Sequence, residues 1–385
     1  MKIKTDKLFY LLNTLNIAYS SKTVQSILKN ISIKAQEDKL VLQVSNGTLS
    51  QECSLLKDFE CLEEGEICAN FELLYKLIQN LKDKEITLVY DEETKPNLVV
   101  KHKRNMYKIP TTDYENFPKL PSFSRGEEVE QIMFETSDFQ KMLFNLESVL
   151  DKSLTESKPV LDNIFIYPDN ENRLKFVATN GVALSSVYLT GNIKKKVSVN
   201  GTLVRAIKRL KINAKITPKI KLFSNSHQTA LVWKNQAIQV AMFCVKTTEQ
   251  GPNKEQVDKL GKNMDAKIYL TIPDVGEFLE KIKRVTAISD KSILIFQMNE
   301  GELIMSNYEQ NAREKINFNM ENNSKLENTF RLAMDSKILT NLLKTTNNTI
   351  KFRIQNKAGS VSTPVSIEEP TNIDVEKMLT PILVR

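Results

Sequence analysis

Internal repetition constrains this fold more than any other sequence feature. Three segments run in the same order: a polar residue, an amphipathic helix, a β-hairpin, and a Ser or Thr followed by Asn. Their period of roughly 130 residues is close to the usual size of a domain. The helices have apolar residues at i, i+3, i+4 and i+7, as expected for one buried face: Leu8, Leu11, Leu12 and Leu15 after Asp6; Phe139, Met142, Leu143 and Leu146 after Ser137 and Asp138; Val275, Phe278, Leu279 and Ile282 after Asp274.

Each repeat continues with a second, shorter helix and further strands. The apolar positions of these helices are Leu74, Leu77, Ile78 and Leu81; Leu203, Ile207 and Leu210; Leu339, Leu342 and Leu343. Strands are predicted in each first-half hairpin, as at 31–35 and 40–44, and after each second helix, at 86–90, 220–223 and 350–354. The turns after the three hairpins contain Asn46, Asn180 and Asn307. The prediction is an α+β fold of three similar domains, each with two helices packed on antiparallel β-sheets.

Proline, glycine and polar residues mark the predicted domain boundaries. The segment 117–126 separates the first two domains, and the polar run 246–265, which contains Gly251 and Pro252, separates the last two. The predicted domains are residues 1–122, 128–250 and 266–385. The second linker is long for a packed connection and is expected to be mobile.

Several classes of protein are disfavoured by what the chain contains. Charged residues interrupt the first 16 positions, and no later run approaches the ~20 apolar residues of a membrane span, so a cytoplasmic protein is expected. The four cysteines and two histidines form no metal-binding pattern, and no phosphate loop or nucleophile motif is present. We therefore expect no metal, no cofactor and no catalytic activity.

Positive charge is concentrated in one stretch. Between positions 172 and 248 there are fourteen Lys and Arg but no Asp or Glu, although the net charge of the whole chain is only +7. A Lys- and Asn-rich composition can instead reflect an AT-rich genome, but that bias alone would not remove every carboxylate from one segment. Contact with nucleic acid is therefore preferred over a merely solvated surface.

The helix predicted at 201–211 separates this charge from its apolar face. At 100° per residue, Arg205, Lys208 and Arg209 lie opposite the apolar positions. Lys281 and Arg284 are placed comparably on the fifth helix, where glutamates dilute them. Basic helix faces without interleaved aromatic residues favour phosphate contacts, and hence duplex binding that does not read sequence.

Four motifs carry a resemblance over essentially the entire chain. Residues 114–118 (YENFP) are similar to an A-D-F-P segment, 161–164 (LDNI) to L-N-G, 178–185 (ATNGVALS) to A-T-D-G-H-R-L-A, and 380–385 (TPILVR) to M-P-M-R or L-P-I-R. In their order and spacing the chain resembles the beta subunit of bacterial DNA polymerase III, the sliding clamp. This resemblance implies a head-to-tail homodimer, an ATP-dependent clamp loader, and a hydrophobic pocket between the second and third domains that binds short motifs of polymerases and repair proteins.

Twelve helices from two such chains, spaced ~9 Å apart, would line a ring with a hole of roughly 25 Å, wide enough for loosely held duplex DNA. Lys22 is similar in position to a DNA-contacting Arg of the family, and Lys158 is a further DNA-binding candidate. The pocket candidates are Leu161, Thr179, Gly181, Val182, Leu184, Met378, Pro381 and Ile382. The candidates for the dimer interface are Tyr107, Ala287 and Ile288.

The motifs also depart from the family pattern. Val182 and Ala183 replace a His-Arg pair, Asn180 replaces an Asp, and residues 243–246 lack an F-P-D-Y sequence. A pocket that has lost polar and cationic groups is expected to bind partner peptides differently or more weakly. The rival functions are a basic DNA-binding protein that does not encircle DNA and an enzyme with an unrecognised site. A clamp of three two-domain subunits is disfavoured, because this chain has three repeats.

Overall fold

The structure, a computed structural model, describes residues 1–81, 85–91, 96–120, 123, 128–150, 157–170, 172–246, 251–262, 268–299, 301–320, 330–346, 348–355, 364–370 and 374–382. Seven α-helices are found in these ranges: α1 (Thr5–Leu15), α2 (Phe71–Asn80), α3 (Thr136–Glu147), α4 (Gly201–Arg209), α5 (Lys254–Lys262), α6 (Val275–Thr286) and α7 (Ser336–Leu343). The chain divides into two compact units. Unit 1 is Met1–Gln140 with Thr202–Lys246, and unit 2 is Lys141–Gly201 with Thr247–Arg385.

The strands of unit 1 form one 13-stranded sheet in the order β10-β15-β16-β17-β4-β3-β2-β6-β9-β8-β7-β1-β5. Neighbouring strands are antiparallel, as in the seven residue pairs that join β17 to β4. The strands are β1 (Lys2–Ile3), β2 (Asn30–Ala35), β3 (Leu40–Ser45), β4 (Leu49–Leu55), β5 (Phe59–Glu60), β6 (Gly65–Asn70), β7 (Ile86–Asp91), β8 (Asn97–His102), β9 (Asn105–Thr112), β10 (Glu130–Glu135), β15 (Lys219–Ser224), β16 (Gln228–Lys234) and β17 (Ile238–Val245).

Unit 2 contains a nine-stranded sheet in the order β14-β11-β12-β13-β26-β25-β24-β18-β22 and a four-stranded sheet in the order β21-β20-β19-β23. Its strands are β11 (Asn163–Pro168), β12 (Arg173–Thr179), β13 (Ala183–Thr190), β14 (Val197–Asn200), β18 (Ile268–Ile272), β19 (Ile293–Asn299), β20 (Glu302–Asn307), β21 (Arg313–Ile316), β22 (Asn319–Met320), β23 (Phe330–Asp335), β24 (Ile350–Ile354), β25 (Val365–Glu368) and β26 (Val375–Leu379). Helices on antiparallel sheets confirm the predicted α+β class.

All six predicted helices are confirmed, and the periodic apolar residues form their buried faces. In α1 the four leucines have no exposed surface, and the same holds for the three leucines of α7. The predicted stripes err at their edges. Leu81 and Leu210 lie just beyond the ends of α2 and α4, and Leu77 of α2 and Leu279 of α6 are only half-buried.

The three predicted Asn turns share one hydrogen-bonding arrangement. The Oδ1 atom of Asn46 accepts from the backbone N–H of Leu49, 2.9 Å away, and that of Asn180 accepts from Ala183 N–H at 2.7 Å. Asn307 Oδ1 accepts in the same way from Ala312 N–H, across a longer loop. An Asn side chain that bonds to the following backbone fixes a tight turn, so this residue sets the geometry of equivalent hairpins.

The polar residue expected before each first-half helix caps only one of them. Asp274 precedes α6, and its side chain accepts from the N–H of Glu277 at 2.9 Å. By contrast α1 begins at Thr5, so the prediction that Asp6 lies before it is wrong. Asp6 and Asp138 lie inside the first turns of α1 and α3, where a carboxylate faces the positive end of the helix dipole.

The polar linker contains an element that the sequence analysis did not predict. Residues 254–262 form α5, which is not among the six predicted helices. Asn253 and Gln256 make a reciprocal capping box, with Gln256 N–H 2.8 Å from Asn253 Oδ1 and Asn253 N–H 3.0 Å from Gln256 Oε1. Val257 is buried. Positions 247–250 and 263–265 of this linker, like 121, 122 and 124–126 of the first linker, lie outside the described residues.

Backbone pairing joins strands that were assigned to different predicted domains. In unit 1, β17 pairs with β4 from Ile238 opposite Leu55 to Cys244 opposite Leu49. In unit 2, β13 pairs with β26, with Ala183 opposite Leu379. Each unit therefore contains continuous sheet across predicted domain limits, and the division into residues 1–122, 128–250 and 266–385 stays a prediction.

Candidate nucleic-acid and peptide interfaces

The basic helix α4 has the two faces that its sequence predicts. Leu203 and Ile207 are buried, at 0% and 3% exposure. Lys208 and Arg209 are exposed in its last turn, and Arg205 is half-buried. Cations at the C-terminal end of a helix also complement its negative dipole end. This face can bind phosphates through charge alone.

Two further DNA-binding candidates lie outside helices. Lys22 is exposed in the loop that follows α1, in unit 1. Lys158 is exposed in unit 2, directly before the short 3-10 helix Pro159–Leu161, and its carbonyl accepts from Leu161 N–H at 2.9 Å. Both side chains reach solvent, as a phosphate contact would require.

The two candidates on α6 are held by carboxylates. Lys281 Nζ lies 2.7 Å from Glu277 Oε1 and donates to the Lys315 carbonyl at 2.9 Å, and its side chain is only 12% exposed. Arg284 Nε donates to Glu314 Oε1 at 2.7 Å. This hydrogen bond raises the pKa of Arg284 and lowers the pKa of Glu314. Both cations therefore have local counter-charges, and their contact with DNA stays a prediction.

The predicted pocket residues all belong to unit 2, and the strand pair β13–β26 brings several of them together. Leu184 and Met378 are cross-strand partners and are both nearly buried. The backbone N–H of Thr380, beside Pro381, donates to the carbonyl of Val182 at 2.8 Å. Ile382 then forms an isolated bridge with Ala333 of β23. The last three residues of the predicted C-terminal motif, 383–385, lie outside the described residues.

The turn before β13 places the remaining candidates. Thr179 Oγ1 donates to the Ala183 carbonyl at 2.8 Å and accepts from Gly181 N–H at 3.1 Å. Gly181 has a φ of +88°, which residues other than glycine rarely adopt. A Cβ atom on it would lie 3.7 Å from Leu161 Cδ1, which is an ordinary contact distance, so the backbone conformation and not lack of space favours glycine here. Val182 is 42% exposed at the tip, where a hydrophobic side chain in solvent is available to a partner.

Behind Leu184 and Met378 lies an apolar cluster that the sequence did not reveal. Its other members are Phe165, Tyr167, Val177 and Val257, with half-buried Val160 at its edge. Val257 comes from α5, the helix in the supposed linker. The capping box Asn253–Gln256 is the sequence signal that could have found this helix, since Val257 alone makes no apolar stripe.

The dimer-interface candidates are placed on both units. Tyr107 is half-buried on β9 of unit 1. Ala287 caps the C-terminal end of α6 in unit 2, and Ile288 beside it is 60% exposed. An exposed aliphatic side chain of this size suits a protein contact, but the interface role of all three residues stays a prediction.

Among the residues that the structure describes, no group of three or more His, Cys, Asp or Glu is placed to hold a metal ion. In the same part of the chain no helix is long and apolar enough to cross a membrane.

Comparison with known proteins finds similarity to one family over part of the chain. The family described as "DNA polymerase III beta subunit, N-terminal domain" matches residues 1–121. A beta sliding clamp of Mycoplasma pneumoniae is 24% identical over 184 residues, which are 48% of this chain and 44% of that protein. The chain thus spans about half the length of the curated relatives that it matches. The resemblance seen in the sequence motifs is confirmed.

Solved structures extend the likeness to the whole chain at the level of the fold. A DNA polymerase sliding clamp from Caulobacter crescentus aligns with a TM-score of 0.85 and 18% identity, covering 100% of this chain and 99% of that one. The DNA polymerase III subunit beta of Pseudomonas aeruginosa aligns with a TM-score of 0.83 and 17% identity, covering 100% of both chains. The predicted clamp fold is thereby confirmed.

Proposed function

We propose, from the membership of residues 1–121 in the DNA polymerase III beta subunit family, that this chain is a DNA sliding clamp. In this proposal two copies close head-to-tail into a ring of six domains around duplex DNA. The ring has no catalytic role and keeps the replicative polymerase on its template. The family match carries the proposal, because the structural likeness below 25% identity shows the fold alone.

The charges of α4 support contact with duplex DNA. Lys208 and Arg209 are exposed, and no carboxylate occurs between positions 172 and 248. Phosphate contacts carry no sequence information and exchange readily with salt, which suits a protein that must move along DNA. Retention then depends on closure of the ring and not on tight binding.

The strand pair β13–β26 supports the second part of the proposal. The exposed Val182 lies two residues before the buried Leu184, and in this proposal short motifs of a polymerase, a clamp loader or repair proteins bind at the Val182 turn. Small apolar sites with a few polar groups are typical of peptide recognition.

Retention on circular DNA tests the proposal. The chain is loaded with its cognate clamp loader and ATP on a nicked plasmid, and bound and free protein are separated by gel filtration in high salt. Protein on the circle is expected to survive, and linearisation with a restriction enzyme should release it within minutes. Equal loss from circular and linear DNA would favour the alternative, a basic protein that binds DNA without encircling it. Sedimentation should independently give the mass of two chains.

A further inference from the structure

Two small residues that face each other open a groove in unit 1. Ala35, the last residue of β2, pairs with Gly65, the first residue of the antiparallel strand β6. The next pair on the same face is Ile33 with Ile67, because every second residue of a strand shares a face. Apart from its chain neighbours, a Cβ atom on Gly65 would meet no atom within 4 Å. This face of the sheet is therefore unfilled at Gly65.

The unfilled space is a groove of about 510 Å³, here called the Gly65 groove. One wall is the face of β2 and β6 that carries Gly65. The other wall includes Leu88 of β7 and Leu98 of β8, which are 4% and 1% exposed. Leu62 and Tyr90 also line the groove and are 52% and 43% exposed, so it is open to solvent. Its volume is within the range of about 300–1,000 Å³ that is typical of ligand sites.

Carboxylates lie beside this apolar surface. Glu63 and Glu64, in the loop before β6, both line the groove and are both exposed. Glu64 Oε1 accepts from the backbone N–H of Glu37 at 2.9 Å. Within the described ranges, no hydrogen bond or ion pair holds the carboxylate of Glu63. An apolar groove with acidic groups at its edge suits a ligand that is apolar in its centre and basic beside it.

The nearest cations do not cancel this negative charge. Lys34 is paired with Glu66, and the side chains of these cross-strand partners point away from the face that carries Gly65. The α-amino group of Met1 lines the groove and donates to the Leu88 carbonyl at 2.8 Å. Burial lowers the pKa of this amino group, which reduces its positive charge near neutral pH. The groove therefore keeps a preference for basic ligands.

A strand edge runs beside the groove. On one side β6 pairs with β2 along its whole length, from Gly65 to Asn70. On the other side β9 pairs only with Cys68 and Ala69, and no other described strand pairs with this edge of residues 65–67. Such an edge presents backbone N–H and C=O groups with which an extended peptide can pair. The edge favours a peptide over a small molecule as the occupant.

We propose that the Gly65 groove binds an extended segment of a partner protein in which a large apolar residue is flanked by Lys or Arg. The apolar side chain fills the space beside Ala35 and Gly65, and the basic side chains meet Glu63 and Glu64. The backbone of the segment pairs with residues 65–67. This site goes beyond the proposed clamp function, because it requires neither DNA nor ring closure.

A synthetic peptide is the probe. A fluorescein-labelled nine-residue peptide, in which lysine alternates with leucine and phenylalanine, is titrated with the full-length protein and followed by anisotropy. The wild type should bind it with a Kd of about 100 μM. Gly65→Leu fills the groove and should weaken binding at least about 10-fold. Gly65→Ala, which adds one carbon and leaves most of the space, should bind within about 3-fold of the wild type.

Charge and backbone pairing are tested separately. Glu63→Lys is compared with Asp38→Lys, which reverses an exposed carboxylate in the β2–β3 turn, outside the groove. Both raise the net charge by two, but only Glu63→Lys should weaken binding, by about 5-fold. The same peptide with an N-methyl group on its central residue should bind the wild type about 5-fold more weakly, since one backbone donor is lost.

Thermal unfolding shows which variants are folded. Should Gly65→Leu fail to fold, Ala35→Leu fills the groove from the partner strand. Equal binding to the wild type and to a folded groove-filling variant would overturn the inference, and so would no binding to the wild type at about 1 mM protein. Retention on circular DNA should be the same for the wild type and Gly65→Leu. Failure of the clamp proposal and failure of this one are therefore distinguishable.

Discussion

The helices α4 and α6 both carry clustered cations, yet their surroundings differ. On α4, Lys208 and Arg209 are exposed within a stretch of sequence that has no carboxylate. On α6, Lys281 is 12% exposed and bound to Glu277, and Arg284 is bound to Glu314. A cation that is bound to a carboxylate offers a weaker field to a phosphate than its position on the helix alone suggests, so the two pairs on α6 reduce what that helix can offer.

The two ion pairs on α6 differ in whether they could be predicted from the sequence. Glu277 and Lys281 are four residues apart on one helix, which places them on one face. Glu314 lies on β21, and only the fold brings it to Arg284. Dilution of charge by Glu277 was therefore predictable from the sequence, whereas neutralisation by Glu314 was not.

The largest expected effect comes from reversing the charges of α4. The triple variant Arg205→Glu, Lys208→Glu and Arg209→Glu should bind a short duplex about 100-fold more weakly than the wild type. In a plot of log K against log salt concentration, its slope should be shallower by about 3, because three phosphate contacts are lost. The double variant Lys281→Glu and Arg284→Glu, on the paired helix, should lose less than about 10-fold. Both are measured by anisotropy across roughly 50 to 200 mM salt.

Thermal unfolding of both variants controls for folding, since all five positions are on helix surfaces. An equal loss of affinity in the two variants would contradict the expectation that the carboxylates bound to Lys281 and Arg284 weaken the contact of these cations with DNA. A loss of duplex affinity in the α6 variant alone would place the DNA-binding surface on α6, in unit 2, and not on α4.

A buried lysine gives the next effect, on stability and not on binding. Lys377 on β26 is 1% exposed and donates to the Leu342 carbonyl and to Thr345 Oγ1, and burial lowers its pKa to about 8. Between this value and about 10.5 in the unfolded chain, the unfolded state binds the extra proton. Stability due to Lys377 should therefore rise with pH in that window, by about 2 kcal/mol between pH 8 and 9.5.

Urea unfolding at pH 8 and 9.5 tests this rise. Lys377→Met should remove about 2 kcal/mol of it, and Lys344→Met, at the exposed end of α7, should leave it intact. Lys246 in unit 1, whose pKa burial also lowers to about 8, should supply a similar rise in both variants. An unchanged pH dependence in Lys377→Met would mean that this amine stays charged in the folded protein.

Periodicity was sufficient for the elements that bury a full face. The leucines of α1 and α7 recur at helical spacing, and burial of four or three of them outweighs the unfavourable cap at Lys4. The turns at Asn46 and Asn180 could be predicted from the sequence because one side chain fixes the geometry of each turn. In contrast, Val257 is the one buried residue among positions 254–260 of α5, whose side chains the structure describes, so the position of this helix depends on contacts with β12 and β26 that are distant in sequence.

The two candidate sites differ in the same way: one is specified by local sequence and the other by contacts between distant segments. The basic face of α4 follows from one helix and its local composition, so the sequence sufficed. The pocket requires the register of β13 against β26, which places Leu184 opposite Met378, and no local pattern specifies that register. The resemblance to a family suggested the candidate pocket residues without indicating that α5 packs against two of them, Leu184 and Met378.

The smallest expected effect comes from removing one ion pair on α6, that of Glu314 with Arg284. Glu314→Gln removes the carboxylate that holds Arg284, while Glu255→Gln removes one exposed carboxylate from α5. Both changes raise the net charge by one, but only the first should release a cation for one further phosphate contact. Duplex affinity near 100 mM salt should increase about 3-fold more for Glu314→Gln than for Glu255→Gln. If both variants gain equally, the effect is that of net charge alone, and local pairing on α6 does not control its contact with DNA.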